Sequence, residues 1–113
     1  MDNVKTSCML DSIYLQSFWL ISNGKHFKTR LFALKIKHLS SRLYFKTLKN
    51  KYNGSRNKDL FELAQKLVTS LTLKPNCYDS LHALMLHRTI NELAYPERFV
   101  GEESLAFEDA YLD

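Results

Sequence analysis

Glycine and proline, the residues that interrupt regular structure, are scarce here: three glycines and two prolines in 113 residues, standing singly at Gly24, Gly54, Pro75, Pro96 and Gly101. The clearest of the stretches between them is helical. From Asp59 to Leu73, the residues Leu60, Leu63, Ala64, Leu67, Val68 and Leu71 recur at i, i+3, i+4, i+7 spacing, while Glu62, Gln65, Lys66 and Thr69 fill the other side. Asn57 is placed to cap this helix, Asp59 suits its positive end, and Glu62 precedes Lys66 by four residues in the favourable order. Pro75 is expected to end it. Asn76 or Asp79 then opens a second helix that runs to about Tyr95 and stops at Pro96. On that helix Ala83, Leu86, Ile90 and Leu93 form one apolar stripe and Leu81, Leu84, Met85 and Tyr95 a second on the opposite side, with Arg88 and Glu92 an i, i+4 pair on the remaining surface. A helix apolar on two sides is central or lies at an interface. Leu81, Leu84, Met85, Arg88 and Tyr95 are therefore the expected partner interface.

The first half of the chain is less determined by its pattern. Ser40 or Ser41 can cap a helix reaching about Tyr52, with Tyr44, Phe45, Leu48 and Tyr52 on one side and Arg42, Lys46 and Lys49 on another. Upstream, Phe32, Ile36 and Leu39 continue a helical stripe, yet Leu34-Lys35-Ile36-Lys37 also alternates as a strand would. Asn23-Gly24 fits either a two-residue hairpin of the I′ kind or a helix end with Gly24 as its left-handed cap. Residues 8–22 are apolar on every side of a helical wheel and do not arbitrate. Because a lone hairpin is marginal without a third strand, the expected fold is mainly α, a small single-domain bundle of about four to five helices. The alternative is an α+β fold with an N-terminal hairpin around Asn23-Gly24. No repeat and no Pro/Ser linker divides residues 1–113. With 45% hydrophobic and 25% charged residues, disordered, collagenous and low-complexity classes are excluded, and folding should bury somewhat under about 70% of the open chain's surface.

Charge is distributed very unevenly along this chain. From Ser12 to Lys58 there are eleven Lys or Arg residues and no Asp or Glu, whereas Asp59 to Asp113 carries four basic residues against ten acidic ones, and residues 1–11 one Lys against two Asp. The net charge of +4 thus hides a basic half (12–58), an acidic half (59–113) and an acidic C-terminal segment (102–113). That segment, with Leu105, Phe107, Ala110, Tyr111 and Leu112 among its acids, reads as a short helix docking on the body. The sign change falls at the turn signal Asn53-Gly54-Ser55. Such asymmetry points to polyanion binding, or to an acidic tail with a job of its own.

Reaction chemistry finds little support. Cys8 and Cys77 are too few for a secreted disulfide scaffold and read as free thiols, buried as small hydrophobes, with Cys77 positioned near a helix start where a thiol pKa falls. His82 and His87, five residues apart, cannot chelate one ion from one helix face; with His26 and His38 elsewhere, no zinc spacing exists. There is no Gly-rich phosphate loop, and the carboxylate pairs Glu102-Glu103 and Glu108-Asp109 sit in an acidic tail, a poor setting for a raised pKa. The chain is expected to be no enzyme, to hold no metal or cofactor and to take no small-molecule substrate. No apolar run approaches the roughly 18 to 20 residues of a membrane span and no signal-peptide layout opens the chain, so a cytoplasmic protein is expected.

What remains is binding. Cations spaced along a helix can neutralise successive phosphates, and Lys35, Lys37, Arg42, Lys46, Lys49, Lys51, Arg56 and Lys58 are the candidate nucleic-acid contacts. Phe27, Phe32, Tyr44, Phe45 and Tyr52 interleave with the cations, as core residues or as stacking platforms for bases. Two helices in Arg56–Leu93 lack a tight turn for a helix-turn-helix, Leu73-Lys74-Pro75-Asn76 being a loose substitute. The expected function is a small non-enzymatic regulator, of transcription among other processes, that binds nucleic acid through a basic helical face. The alternative is a protein-interaction adaptor, inhibitor or chaperone-like regulator, or a homodimer, acting through a helical surface.

Overall fold

In a computed structural model the protein is described over residues 3–71 and 77–99. Its elements are α1 (Asn3–Asn23), α2 (Phe27–Leu48), α3 (Asn57–Thr69), α4 (Tyr78–Ala94) and a closing 3₁₀ turn (Pro96–Phe99), with no strand among the described residues. The expected stop at Pro75, the start at Asn76, the loose turn 73–76 and the acidic segment 102–113 lie outside them. Helix α1 packs on α2, α2 on α3, α3 on α4, and α4 returns to α1. The ring of four encloses one core in a body of 36 × 35 × 20 Å, whose thin dimension is two helix layers.

The buried positions explain why the ring closes. They fall at Thr6, Leu10, Ile13, Ser17 and Leu20 on α1; at Thr29, Ala33, Ile36, Ser40, Leu43 and Thr47 on α2; at Leu60, Ala64 and Leu67 on α3; and at Asp79, Ala83, Leu86, Ile90 and Leu93 on α4. Apart from Leu39 and Ser80, all advance in alternating steps of four and three, the seam spacing of knobs-into-holes packing. Along α2 four of the six seam residues, Thr29, Ala33, Ser40 and Thr47, are small or hydroxylic. Three of the hydroxyls are satisfied locally: Ser17 donates to the Tyr14 carbonyl at 2.8 Å, Ser40 to Lys37 at 3.0 Å and Thr47 to Tyr44 at 2.6 Å, whereas the buried Thr29 Oγ1 meets no hydrogen-bond partner among the described residues. Thr47 also accepts from Ser7 Oγ at 2.9 Å, joining α2 to α1. Buried hydroxyls bonded back to their own helix cost little, and they leave room for the most extensive helix pair in the fold.

Several boundaries differ from the sequence expectation, each for a local reason. Ser40 and Ser41 do not open a helix; they lie in the middle of α2, because Ser40 bonds its own helix instead of capping a new one. Helix α2 ends at Leu48, short of Tyr52. Asn50 adopts a left-handed φ of 56°, and its N–H and that of Lys51 return to the Thr47 and Lys46 carbonyls, a Schellman closure with Asn in glycine's usual place. At the α1–α2 corner Asn23-Gly24 ends a helix, but Gly24 is not left-handed. Its N–H bonds the Leu20 carbonyl at 2.8 Å, and a Cβ there would collide with that same oxygen. Asn57 is the first residue of α3, not its cap: its Oδ1 accepts the Tyr52 hydroxyl at 2.6 Å. Asp79 is likewise inside α4 and buried, where its carboxylate accepts the Lys25 backbone N–H at 2.9 Å and ties α4 to the α1–α2 corner.

Candidate nucleic-acid interface

With α2 continuous from Phe27 to Leu48, 100° per residue places Lys35, Arg42, Lys46 and Lys49 within an arc of about 60°. That arc meets Arg56, which precedes α3. Two adjoining depressions of about 500 and 410 Å³ share Leu39, Arg42 and Arg56, and so form one open trough between α2 and α3. Lys35 and His38 line one end and Lys46, Lys49 and Phe45 the other, over a floor of buried Leu39 and Leu43. Among the described residues no Asp or Glu lines either depression. Arg56 Nε donates to Asp59 Oδ2 at 3.0 Å in a pair roughly half exposed on both sides, a weak clamp. Among the described residues Lys35, Arg42, Lys46 and Lys49 are in no ion pair.

The trough gathers five of the eight candidate cations. Lys37 lies on the other flank of α2, its Nζ 5.9 Å from the Tyr14 ring centre and 5.5 Å from that of Phe18, held against α1. Lys51 and Lys58 are exposed but line neither depression. His38 joins the site although the sequence reading did not single it out. The usable signal was the interval: Lys35, Arg42 and Lys49 stand seven apart, the spacing that keeps residues on one edge of a bundle helix.

The interleaved aromatics separate just as clearly. Phe32, Tyr44 and Tyr52 pack against the core, and Lys35 Nζ lies 5.8 Å from the Phe32 ring centre. Burial raises the Tyr52 pKa above its ordinary value, with the bond to Asn57 acting the other way. Phe27 is exposed at the start of α2, outside the trough. Phe45 alone of the five lines it, at 55% exposed. The same ring borders a pocket of about 340 Å³ between α1 and α2, lined by Asp11, Tyr14, Ser41 and Tyr44, so it crests a ridge between two hollows.

On α4 the first stripe, Ala83 to Leu93, is buried and the second is largely open: Leu81, Leu84 and Met85 are exposed, with Tyr78 and Arg88 beside them. Tyr95 departs from this surface. It meets Phe61 edge-on at 5.1 Å, and the Arg98 guanidinium lies 4.1 Å over its ring, because the helix ends at Ala94 and the chain turns toward α3.

The remaining reactive groups are dispersed. Cys8 is exposed rather than buried, since it falls opposite the α1 seam. Cys77 occupies the N-cap position of α4, where the Ser80 and Asp79 backbone N–H groups favour the thiolate and lower its pKa. His82 stacks on Trp19 at 3.7 Å, while His87 Nε2 sits 3.1 Å from Gln65 Oε1 and is held below the usual histidine pKa by burial. No cluster of three or more His, Cys, Asp or Glu able to hold a metal occurs among the described residues, and no helix among them is long and apolar enough to cross a membrane. Compared with protein-family models, with curated proteins and with solved structures, the chain finds no match.

Proposed function

We propose that this protein is a small regulator that binds nucleic acid along the α2–α3 trough. The observation carrying this reading is the convergence of Lys35, Arg42, Lys46, Lys49 and Arg56 on one concave surface that no carboxylate among the described residues lines. Cations set at intervals along a rigid helix release condensed counterions when phosphates replace them, and that term alone supplies sequence-independent affinity in the micromolar range. The test is fluorescence anisotropy of labelled oligonucleotides with the full chain. Binding at 50 mM salt is expected, with log affinity falling against log salt at a slope of about −3 to −4.5 for four to five phosphates. The triple variant R42E/K46E/K49E is expected to abolish it. No binding of any oligonucleotide at tens of micromolar would overturn the proposal.

A second reading rests on α4. Leu81, Leu84 and Met85, at 45%, 44% and 52% exposed, with Tyr78 and Arg88, give an apolar stripe with one cation, the composition of a protein-binding surface. Under that reading the chain is an adaptor or inhibitor, and a complex that survives nuclease treatment and is lost in L81E/M85E would support it.

A further inference from the structure

Resting on the trough reading, we infer that the trough takes single-stranded rather than duplex nucleic acid, and that Phe45 is the platform on which a base stacks. Three observations meet here. First, the cations face one another across a furrow: Lys35, Arg42, Lys46 and Lys49 come from α2 and Arg56 from the start of α3. The furrow between two packed helices is narrow enough for one phosphodiester backbone to follow it, whereas a duplex would rest on the rims and reach only part of the charge. Second, the floor is apolar, made by Leu39 and Leu43. Unpaired bases offer apolar faces to such a floor, and the stacked, paired bases of a duplex do not. Third, the structure selects among five aromatic candidates. Phe32, Tyr44 and Tyr52 are committed to the core and Phe27 lies outside the trough, which leaves Phe45, 55% exposed and beside Lys46 and Lys49. A base laid on Phe45 places its own phosphate among the cations that flank the ring.

From Lys35 to Lys49 the helix advances about 21 Å, room for about six nucleotides at the ~3.4 Å rise of a stacked strand. A short oligothymidylate of six to eight residues is therefore the probe of choice. The Leu39–Leu43 floor and the Phe45 ring meet base faces, not base edges, so tolerance of sequence is expected, with discrimination by strandedness.

The experiment compares three probes on the full chain at one salt concentration: oligothymidylate, a duplex of the same length, and inorganic polyphosphate, which carries charge without bases. The single strand is expected to bind at least about tenfold more tightly than the duplex. F45A should weaken single-strand binding by about 5- to 150-fold, the range of one base-stacking contact, and leave polyphosphate within about twofold, while F45W restores the strand affinity. Phe45 is largely exposed, so the variant is expected to fold, and its thermal melt verifies this. Equal loss for strand and polyphosphate, no loss for the strand, or preference for duplex each overturns the inference. In those cases the trough still binds polyanions provided R42E/K46E/K49E removes the binding; if the triple variant binds all three probes like the wild type, the trough reading falls as well.

Discussion

Asp79 shows how much one buried carboxylate can hold in a small bundle. It is 5% exposed, sits in the first turn of α4 and accepts the backbone N–H of Lys25, fifty-four positions away. Helix polarity and a charge-assisted hydrogen bond act together there. D79A leaves that N–H without its partner and opens a small cavity, so a loss of about 2 kcal/mol in urea unfolding is expected, with D79N, which keeps an acceptor, losing about half as much. Equal losses would mean that packing, not the hydrogen bond, matters at this position. Cys77 makes a separate forecast. With its pKa lowered by the α4 backbone N–H groups, its alkylation by iodoacetamide should reach half-maximal rate at a pH below that of an ordinary thiol, and C77S should remove the early phase. His87 has its folded pKa depressed by burial, so the unfolded chain binds the proton more readily. Stability is therefore intact above the unfolded value of about 6.5 and declines as pH falls through it toward the folded value. Thermal melts at pH 7.5 and pH 5 should show a smaller acid decline in H87Q than in the wild type.

Helix α3 was readable from sequence because every buried position in it, Leu60, Ala64 and Leu67, is apolar, so composition and period agree. Helix α2 was not, although it is longer and its buried seam obeys the same alternating steps. The reason lies in the seam residues: Thr29, Ala33, Ser40 and Thr47 are small or hydroxylic, and a hydrophobicity pattern counts them as surface. Serine also signals a helix start when it caps, yet here the Ser40 hydroxyl turns back to Lys37, and no local pattern distinguishes the two uses. The same ambiguity hid the trough. With α2 cut at Ser40, Lys35 belonged to a different element from Arg42, Lys46 and Lys49, and only the uninterrupted helix sets all four on one edge. Arg56 could be placed there only by the packing of α3. If the small seam is what allows α1 and α2 to approach, S40L forces a branched side chain into the most extensive helix pair and should cost about 1–3 kcal/mol, whereas S41A, one position off the seam, should change stability by under about 0.5 kcal/mol.

Charge asymmetry along the chain becomes spatial asymmetry only because of the order of the helices. In the ring α1–α2–α3–α4 the basic trough lies between α2 and α3, and the exposed stripe of α4, with Leu81, Leu84 and Met85, turns away from it. Of the basic half's cations, Lys37 is drawn off by the Tyr14 and Phe18 rings and Arg56 partly by Asp59, so the field of the trough is local and rests mainly on one helix edge. Charge counting from sequence could show that a positive surface was available, but not that its cations divide between two flanks of α2. Two surfaces on different elements, sharing no residue, should act independently, since substitutions without common partners are additive within about 0.3–0.5 kcal/mol. L81E/M85E is accordingly expected to leave oligonucleotide affinity within about twofold of wild type while removing any protein complex or self-association seen by sedimentation. R42E/K46E/K49E should do the reverse. A drop in oligonucleotide affinity greater than about tenfold in L81E/M85E, with the fold intact by circular dichroism, would mean that nucleic acid engages a dimer through both faces, and a monomeric trough would no longer account for binding.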